Sequence, residues 1–350
     1  MTTFQTFSHQ HDQVGESPIW DAEGSCLWWV DIEAHAIHRQ SLSQERQSWY
    51  LPERVGCIAL TADRQVVAAM ETSIALLRLK PEGASEGASN DASVGAYELQ
   101  NLAHIQHPKP GMRFNDGRCD PSGRMWIGTM VMDMSLADNS GGLYCLDERG
   151  LTGPYVSNLY TPNGLAFSPD GKTMYFSDSH PKAQKIWRCS IDLVSGQLGD
   201  KSLFVDMTDL PGRPDGAAMD SEGNYWICGN DAGLVHCFSP QGQLLRSVPP
   251  PGAKASMCAF GGPTLTVEDV ERAAHQLGIG QHDVVVGVQS HQRGGVGGTI
   301  GRQRKSVGCG QHIGVGAGGH HQIAAQIAQR SALAHPDGGD RIGGLGGQGH

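Results

Sequence analysis

Short apolar stretches alternate with polar clusters along residues 10–265 of the chain. Four regions share one layout, in which a short strand-like segment, a polar turn and a second segment of aromatic and β-branched residues follow one another. The turns read Asp-Ala-Glu-Gly at 21–24, Asp-Pro-Ser-Gly at 120–123, Ser-Pro-Asp-Gly at 168–171 and Asp-Ser-Glu-Gly at 220–223. Turns of this composition between β-prone segments are typical of β-hairpins, so the pattern predicts an all-β chain of repeated hairpins.

Polar side chains occupy one fixed position in these four repeats. Glu16, Asn115, Asn163 and Asp215 each stand eight residues before the glycine of their turn. Each offers an oxygen that can accept a hydrogen bond or bind a metal ion. Four repeats therefore carry similar chemistry at one register.

The spacing of the repeats predicts a β-propeller. Gly123, Gly171 and Gly223 are separated by 48 and then 52 residues, the size of a four-stranded blade. Strands predicted at 142–146, 186–190 and 234–238 would form the outer part of a blade. Five blades are predicted to start at Glu16, Cys57, Asn115, Asn163 and Asp215. A sixth is expected around residues 257–265, so the predicted fold is a six-bladed β-propeller with an incomplete last blade.

The composition changes after residue 265. Residues 261–350 hold 23 of the 48 glycines and 8 of the 16 histidines, and they contain no Phe, Trp or Tyr. Such a segment can bury little apolar surface, so we predict a Gly/His-rich, disordered tail over 266–350 and a propeller domain over 1–265. Within the tail, 266–277 has a helical period and 284–288 could form a strand that replaces a missing one. Our hypothesis is that the tail is out-of-frame or foreign sequence, which would leave open sheet edges and reduce stability.

Three short motifs in low-complexity surroundings are interpreted as chance matches or solvated residues. Gly83-x-Ser85-x-Gly87 has the spacing of a nucleophile elbow but lies in a linker-like stretch. The glycines at 314, 316 and 319 lack the strand–turn–helix context of a dinucleotide site. The histidine pair at 320–321 is interpreted as solvated.

Charge and cysteine content exclude several classes of function. The net charge is −10 and no run of basic residues is present, which argues against a nucleic-acid partner. The first ten residues do not resemble a signal peptide and no apolar stretch approaches ~20 residues, so no membrane association is expected. Nine cysteines without a Cys-x-x-Cys pair indicate reduced thiols. We therefore expect a cytoplasmic protein, and the oligomeric state is left open.

The propeller fold would bring the repeated polar residues together at its central axis. Two carboxylates and two amides, without His or Cys, favour a hard cation such as Ca²⁺, Mg²⁺ or Mn²⁺. The alternative is that Asn-Gly and Asp-Gly pairs serve only as turn formers. Glu16 argues against it, because it precedes Ser-Pro and is not part of a turn dipeptide.

Four segments of the chain resemble the signature motifs of the gluconolactonase, senescence-marker-protein and regucalcin family of six-bladed propellers. They are Gly15-Glu16-Ser17-Pro18-x-Trp20, Arg113-Phe-Asn115-Asp-Gly, Thr161-Pro-Asn163-Gly-Leu-Ala-Phe-Ser-Pro-Asp-Gly171 and Pro214-Asp215-Gly216. The resemblance covers roughly residues 10–265. It implies one divalent metal ion (Ca²⁺, Zn²⁺, Mg²⁺ or Mn²⁺) held by Glu16, Asn163 and Asp215. It also implies substrate contacts from Arg113, Asn115 and, on a weaker match, Asp133.

The function that the resemblance implies is hydrolysis of a small-molecule sugar lactone to the aldonic acid. The metal would polarise the lactone carbonyl, and Asp215 would act as the base. Alternatives remain open: Asp215 could be a metal ligand only, and Arg113 could be a salt-bridge partner. The whole protein could also be a non-catalytic Ca²⁺-binding propeller or an inactive truncated lactonase.

Overall fold

The computed structural model describes residues 5–8, 10–41, 46–80, 96–250, 252, 254–261, 275–277 and 283–287. After the short strand β1 (Gln5–Ser8), the chain forms five four-stranded antiparallel sheets, each of which is one blade. The first consists of β2 (Gly15–Asp21), β3 (Cys26–Asp31), β4 (Ala36–Ser41) and β5 (Gln47–Tyr50). The second consists of β6 (Cys57–Leu60), β7 (Val66–Ala69), β8 (Ser73–Leu79) and β9 (Tyr97–His104).

The third, fourth and fifth blades repeat this order. The third consists of β10 (Met112–Cys119), β11 (Met125–Val131), β12 (Gly141–Asp147) and β13 (Gly150–Leu159), with a 3₁₀ turn at Met134–Leu136. The fourth consists of β14 (Pro162–Phe167), β15 (Thr173–Asp178), β16 (Lys185–Ser190) and β17 (Ser202–Asp206). The fifth consists of β18 (Arg213–Met219), β19 (Tyr225–Asn230), β20 (Leu234–Phe238) and β21 (Leu244–Val248). The five predicted blade starts each fall in or at the beginning of an inner strand, so this part of the prediction is confirmed.

The turn between the first two strands of a blade has the predicted hairpin chemistry. In the third blade, Asp120 accepts hydrogen bonds from the backbone N–H groups of Ser122 and Arg124, and Gly123 adopts a φ of 85°. The second blade has no glycine in this turn, and Arg64 takes the left-handed conformation instead, with a φ of 60°. The turn therefore keeps its left-handed backbone conformation even where glycine is absent.

The hydrophobic core lies between neighbouring blades. Between the third and fourth blades, Trp126 and Leu143 pack against Leu165 and Phe176, and all four side chains are fully buried. Comparable clusters fill the other gaps between successive blades. Because each blade buries one face against the next, the inner strands are held at fixed positions around the axis.

Six inner strands surround the axis, although only five of them begin a blade. The sixth, β22 (Ala255–Phe260), contacts β18 on one side and β2 on the other. The hydroxyl of Ser256 donates to the backbone oxygen of Gly15 at 2.7 Å, which closes the ring. At the other side, a Cβ added to Gly216 would lie 2.6 Å from the Cβ of Met257, so only glycine allows this approach.

The prediction of six blades is wrong: the described residues contain five. β22 pairs in parallel with β24 (Asp283–Gly287), and β1 pairs in parallel with β23 (His275–Leu277). Parallel neighbours cannot be joined by a tight hairpin, because the chain must return to the same end of the sheet. The sequence after Gly261 lacks the strand–turn–strand pattern that would have built an antiparallel blade here.

The structure describes only parts of the tail. The strand predicted around 284–288 is confirmed as β24, and it pairs with the last inner strand. The helical period assigned to 266–277 is wrong for residues 275–277, which form β23. The remaining predictions for the tail, the low-complexity stretch at 81–94 and the glycine and histidine motifs lie outside the described residues.

Candidate functional site

A β-bulge lies beside each of the four candidate residues on the inner strands. In β2, Glu16 pairs with Val30 while Ile19 pairs with Trp28, so the inner strand contains one extra residue. The same irregularity lies between Phe114 and Gly117, between Asn163 and Ala166, and between Pro214 and Ala217. The inner strand of the second blade, β6, carries no candidate residue and pairs without a bulge. Bulges re-aim side chains, so the shared register of the polar residues has a local structural cause.

Three of the predicted residues and Arg113 form one continuous chain of hydrogen bonds across three blades. Arg113 Nη1 donates to Asn115 Oδ1 at 2.6 Å, and Asn115 Nδ2 donates to Asn163 Oδ1 at 2.7 Å. Asn163 Nδ2 in turn donates to Asp215 Oδ1 at 2.7 Å. All bonds run in one direction, from the guanidinium cation to the carboxylate, so each bond polarises the next. These residues are far apart in sequence, and the propeller fold brings them together.

Two further side chains, which sequence reasoning missed, hold this chain in place. Asn230, the last residue of β19, donates through Nδ2 to Asp215 Oδ2. Ser179 accepts a hydrogen bond from Asn163 Nδ2 at 2.7 Å and donates its own hydroxyl proton to Pro214 O. Both residues lie at the ends of second strands, where no repeated spacing marks them in the sequence.

Glu16 faces this chain from the first blade. Its partial burial raises its pKa well above the ordinary value, and the carboxylates of Asp215 and Asp116 add to the effect, while Arg113 opposes it. Burial likewise raises the pKa of Asp215 to about 7, although the hydrogen bond from Asn230 acts in the other direction. Glu16 and Asp215 are therefore close enough to repel one another.

Asp116 adds a third carboxylate, which the sequence reasoning did not select. Its side chain is 5% exposed, and Oδ2 accepts the backbone N–H of Leu165 at 2.9 Å. Burial raises its pKa to about 6, with Arg118 acting to lower it. Within the part of the chain that the structure describes, Oδ1 of Asp116 has no hydrogen-bond partner.

Arg118 links the three inner strands beneath the site. Its Nε donates to Leu165 O in β14 at 2.6 Å, and its Nη2 donates to Ala217 O in β18 at 2.7 Å. Since Arg118 itself belongs to β10, one side chain ties the third, fourth and fifth blades together at the axis. It also supplies positive charge beside Asp116.

The donor set fits a hard divalent cation. Glu16 and Asp215 offer carboxylate oxygens and Asn163 offers an amide oxygen, which are the ligand types that Ca²⁺, Mg²⁺ and Mn²⁺ prefer. Three carboxylates with raised pKa values at one end of a buried axis would be stabilised by a cation. The buried Oδ1 atoms of Asp116 and Asn230, which have no hydrogen-bond partner among the described residues, are further acceptors in this region.

A second acidic cluster, outside this site, is better explained without a metal. The ligand atoms of Asp12, Asp31 and His38 lie within 4.8 Å of one another. However, Arg46 Nη2 lies 2.7 Å from Asp12 and also bonds His38 Nε2, so a guanidinium already offsets the charge of Asp12 and occupies the space beside it. Asp31 uses both oxygens to cap the backbone N–H groups of Gln13 and Val14. Asp178 caps the N–H groups of 160 and 161 in the same way in the fourth blade, which identifies this as a repeated structural device.

Asp133, another predicted site residue, is not part of the hydrogen-bonded chain. It is exposed and precedes the 3₁₀ turn, where it accepts hydrogen bonds from the backbone and hydroxyl of Ser135. Its loop follows Val131, which pairs with Met112, the neighbour of Arg113 in β10. Asp133 therefore lies at the same end of the propeller as Arg113, on the rim.

Arg113 lies below an ion-paired rim. Burial lowers its pKa, while the charge of Glu33 acts to raise it. Arg54 joins Glu33 and Glu71 at 3.1 and 2.9 Å. Arg54 thus offsets part of the negative charge of Glu33 and Glu71, and Arg113 itself acts to lower the pKa of Glu16.

No helix within the described ranges has the length and apolar character needed to cross a bilayer. The eight cysteines in the described part of the chain are free thiols, as expected from their spacing.

Comparison with known proteins agrees with the four motifs. Residues 14–267 match the family described as the SMP-30/Gluconolactonase/LRE-like region. A 6-deoxy-6-sulfogluconolactonase from Pseudomonas putida is 33% identical over 265 residues, which cover 75% of this chain and 84% of that protein. A regucalcin from Danio rerio is 30% identical over 255 residues, or 72% of this chain and 80% of that one.

A solved structure of a calcium-binding regucalcin from Agrobacterium tumefaciens gives a TM-score of 0.65 at 28% identity, covering 75% of this chain and 83% of that chain. The family match ends at residue 267, which confirms that the tail lies outside the resemblance. The chain belongs to the SMP-30/Gluconolactonase/LRE-like family.

Proposed function

We propose that the protein is a metal-dependent hydrolase that opens a sugar lactone to the corresponding aldonic acid. The observation that carries the proposal is the convergence of Glu16, Asn163 and Asp215 with Arg113 and Asn115 at one end of the central axis. The names of relatives support it, since a 33% identical protein is a sugar-acid lactonase.

Glu16, Asn163 and Asp215 would hold the divalent ion. When bound, such an ion supplies a Lewis acid for the lactone carbonyl and lowers the pKa of a nearby water. The oxygen-only donor set favours Ca²⁺, Mg²⁺ or Mn²⁺ over Zn²⁺.

Asp215 is assigned the role of base. Its carboxylate takes a proton from the water that adds to the lactone carbonyl carbon, and it returns the proton to the ring oxygen when the carbon–oxygen bond breaks. The product is a carboxylic acid with a free hydroxyl group.

Arg113 and Asn115 are assigned to substrate binding. The guanidinium is a planar fork of five N–H donors, of which Nη1 bonds Phe114 O and Asn115 Oδ1. The fork can bind ring hydroxyl groups while Asn115 keeps it oriented. Asp133, on the rim loop above them, is proposed to accept a hydrogen bond from a distal hydroxyl of the sugar.

The second candidate is a Ca²⁺-binding propeller without turnover, which the regucalcin relatives favour. An inactive lactonase, caused by truncation of the last blade, belongs to the same outcome. Both predict metal binding without acid release from any lactone.

A pH-indicator assay on full-length protein separates the two functions. The panel contains glucono-, galactono-, arabinono- and xylono-lactones, with and without chelator and with Ca²⁺, Mg²⁺, Mn²⁺ or Zn²⁺ added back. We expect acid release from at least one lactone, loss with chelator and recovery with metal. Turnover that survives complete chelation would refute the metal role, and metal binding without turnover across the panel would favour the second candidate.

A further inference from the structure

Asn230 and Asn163 donate hydrogen bonds to different oxygens of the Asp215 carboxylate. Asn163 donates to Oδ1 of Asp215 at 2.7 Å, and Asn230 donates to Oδ2, so each carboxylate oxygen has its own amide donor. Asn230 is 4% exposed. The contact joins adjacent strands of one hairpin, since Asn230 ends β19 and Asp215 lies in the bulge of β18.

The orientation of the Asn230 amide follows from charge. Its NH₂ group must face the carboxylate, because two oxygens in contact would repel. Its Oδ1 atom is therefore directed away from Asp215, and among the described residues it has no hydrogen-bond partner. A buried amide oxygen without a partner is costly, unless a bound ion, water or ligand satisfies it.

We propose that Asn230 is a positioning residue of the site. Its NH₂ group fixes the rotamer of Asp215 for cation binding, and its side-chain oxygen Oδ1 is available to accept a hydrogen bond from a water or ligand bound to that cation. The inference rests on the proposed function, since it requires a cation at Asp215. Residues that orient a metal-binding carboxylate typically account for 10–100-fold in metal affinity, without touching the ion.

The same hairpin contains a matched control. At its other end, Asn224 Nδ2 donates to Asp220 Oδ2 at 2.9 Å, which is the same amide–carboxylate contact. Asp220 also accepts the backbone N–H groups of Glu222 and Asn224, so this pair serves the turn. A substitution of Asn224 therefore measures the stability lost with such a bond at a position far from the candidate metal ligands.

The test is calorimetric titration of Ca²⁺ or Mn²⁺ into chelator-stripped, full-length protein, with the thermal midpoint recorded for every variant. Asn230→Leu keeps the shape of the side chain without its polar groups, and we expect the Kd for the metal to rise 10–100-fold. Asn230→His, which retains a ring N–H donor, is expected to recover part of the loss. Asn224→Leu is expected to lower the thermal midpoint while the Kd stays within about twofold.

The outcomes separate this inference from the proposed function. If the natural protein binds neither ion, the metal role in the proposed function fails and the inference fails with it. If the natural protein binds and Asn230→Leu binds equally well, only the inference is overturned. Equal weakening in Asn224→Leu and Asn230→Leu would also overturn it, because the effect would then be general destabilisation. If Asn230→Leu does not fold, Asn230→Gln decides, because its longer side chain displaces the amide donor: a Kd equal to that of the natural protein would refute positioning.

Discussion

Replacing Arg118 by methionine should weaken the ring of inner strands more than any exposed arginine substitution. The change keeps an unbranched apolar stem but removes the guanidinium that bonds Leu165 O at 2.6 Å and Ala217 O at 2.7 Å. It also removes the positive charge that opposes the raised pKa of Asp116.

The size of the effect can be worked from these contacts. Hydrogen bonds to charged groups contribute roughly 1.5–3 kcal/mol each, and two are lost, so the free energy of unfolding should fall by about 3–6 kcal/mol. The variant should lose more at pH 8 than at pH 5.5. Burial already raises the pKa of Asp116 to about 6, and losing Arg118 raises it further. Between the unfolded and the folded pKa, the folded carboxyl keeps a proton that the unfolded chain has lost, so stability falls as pH rises until the folded pKa is passed. A higher folded pKa in the variant extends this fall above about pH 6, whereas at pH 5.5 the carboxyl is largely protonated with or without Arg118.

Urea denaturation followed by tryptophan fluorescence measures the difference at both pH values. Arg78→Met is the control, because Arg78 is exposed and its guanidinium donates to Gln100 Oε1 on the neighbouring strand at 3.0 Å. We expect a loss of about 1 kcal/mol or less for this exposed contact. A loss below about 1 kcal/mol for Arg118→Met at both pH values would refute the claim that one side chain ties the blades together.

Three further predictions follow from the site and the ring. Asp215→Asn should keep some metal binding but lose lactone turnover by about 10²–10⁴-fold, and full activity would end its assignment as base. Burial lowers the pKa of His38 to about 2, so the folded state excludes a proton that the unfolded histidine binds below about pH 6.5. Its contribution to the free energy of unfolding should therefore fall by about 1.4 kcal/mol from pH 7.5 to 5.5. Urea denaturation at both pH values should show this pH dependence in the natural protein but not in His38→Gln, and both proteins should bind the same number of metal ions. The same pH dependence in both would contradict the prediction. Gly216→Ala, which places a Cβ 2.6 Å from that of Met257, should lower the free energy of unfolding by roughly 1–3 kcal/mol, and unchanged stability would show that the ring has room there.

The parts of the site that the sequence predicted are those that a local repeat can mark. Asn115, Asn163 and Asp215 recur at one distance from a turn glycine, because each lies at the same bulge of an inner strand. Arg113 was predicted because it adjoins one of these motifs. Their mutual hydrogen bonds then follow from blade packing, which brings equal registers to the axis.

The parts that were missed depend on tertiary contacts. Asn230 reaches Asp215 from the neighbouring strand, and no repeated spacing distinguishes it from other asparagines. Arg118 has a role only because the ring brings β14 and β18 within reach of one long side chain. The sixth blade was predicted by continuing the series of repeats to residues 257–265, and the residues after Gly261 do not supply its hairpins.

The parallel pairing of β22 with β24 also sets the order in which a new chain can fold. Each of the five blades can form as soon as its own four strands have left the ribosome, since neighbouring strands are consecutive. β22 must wait, because Ala255 pairs with Asp283, and the partner strand is synthesised 28 residues later. During that interval a nascent chain carries an unpaired strand edge, which can pair with a second nascent chain on the same message. Slow translation between these two strands should therefore favour aggregation at the polysome, whereas rapid translation should favour the closed ring.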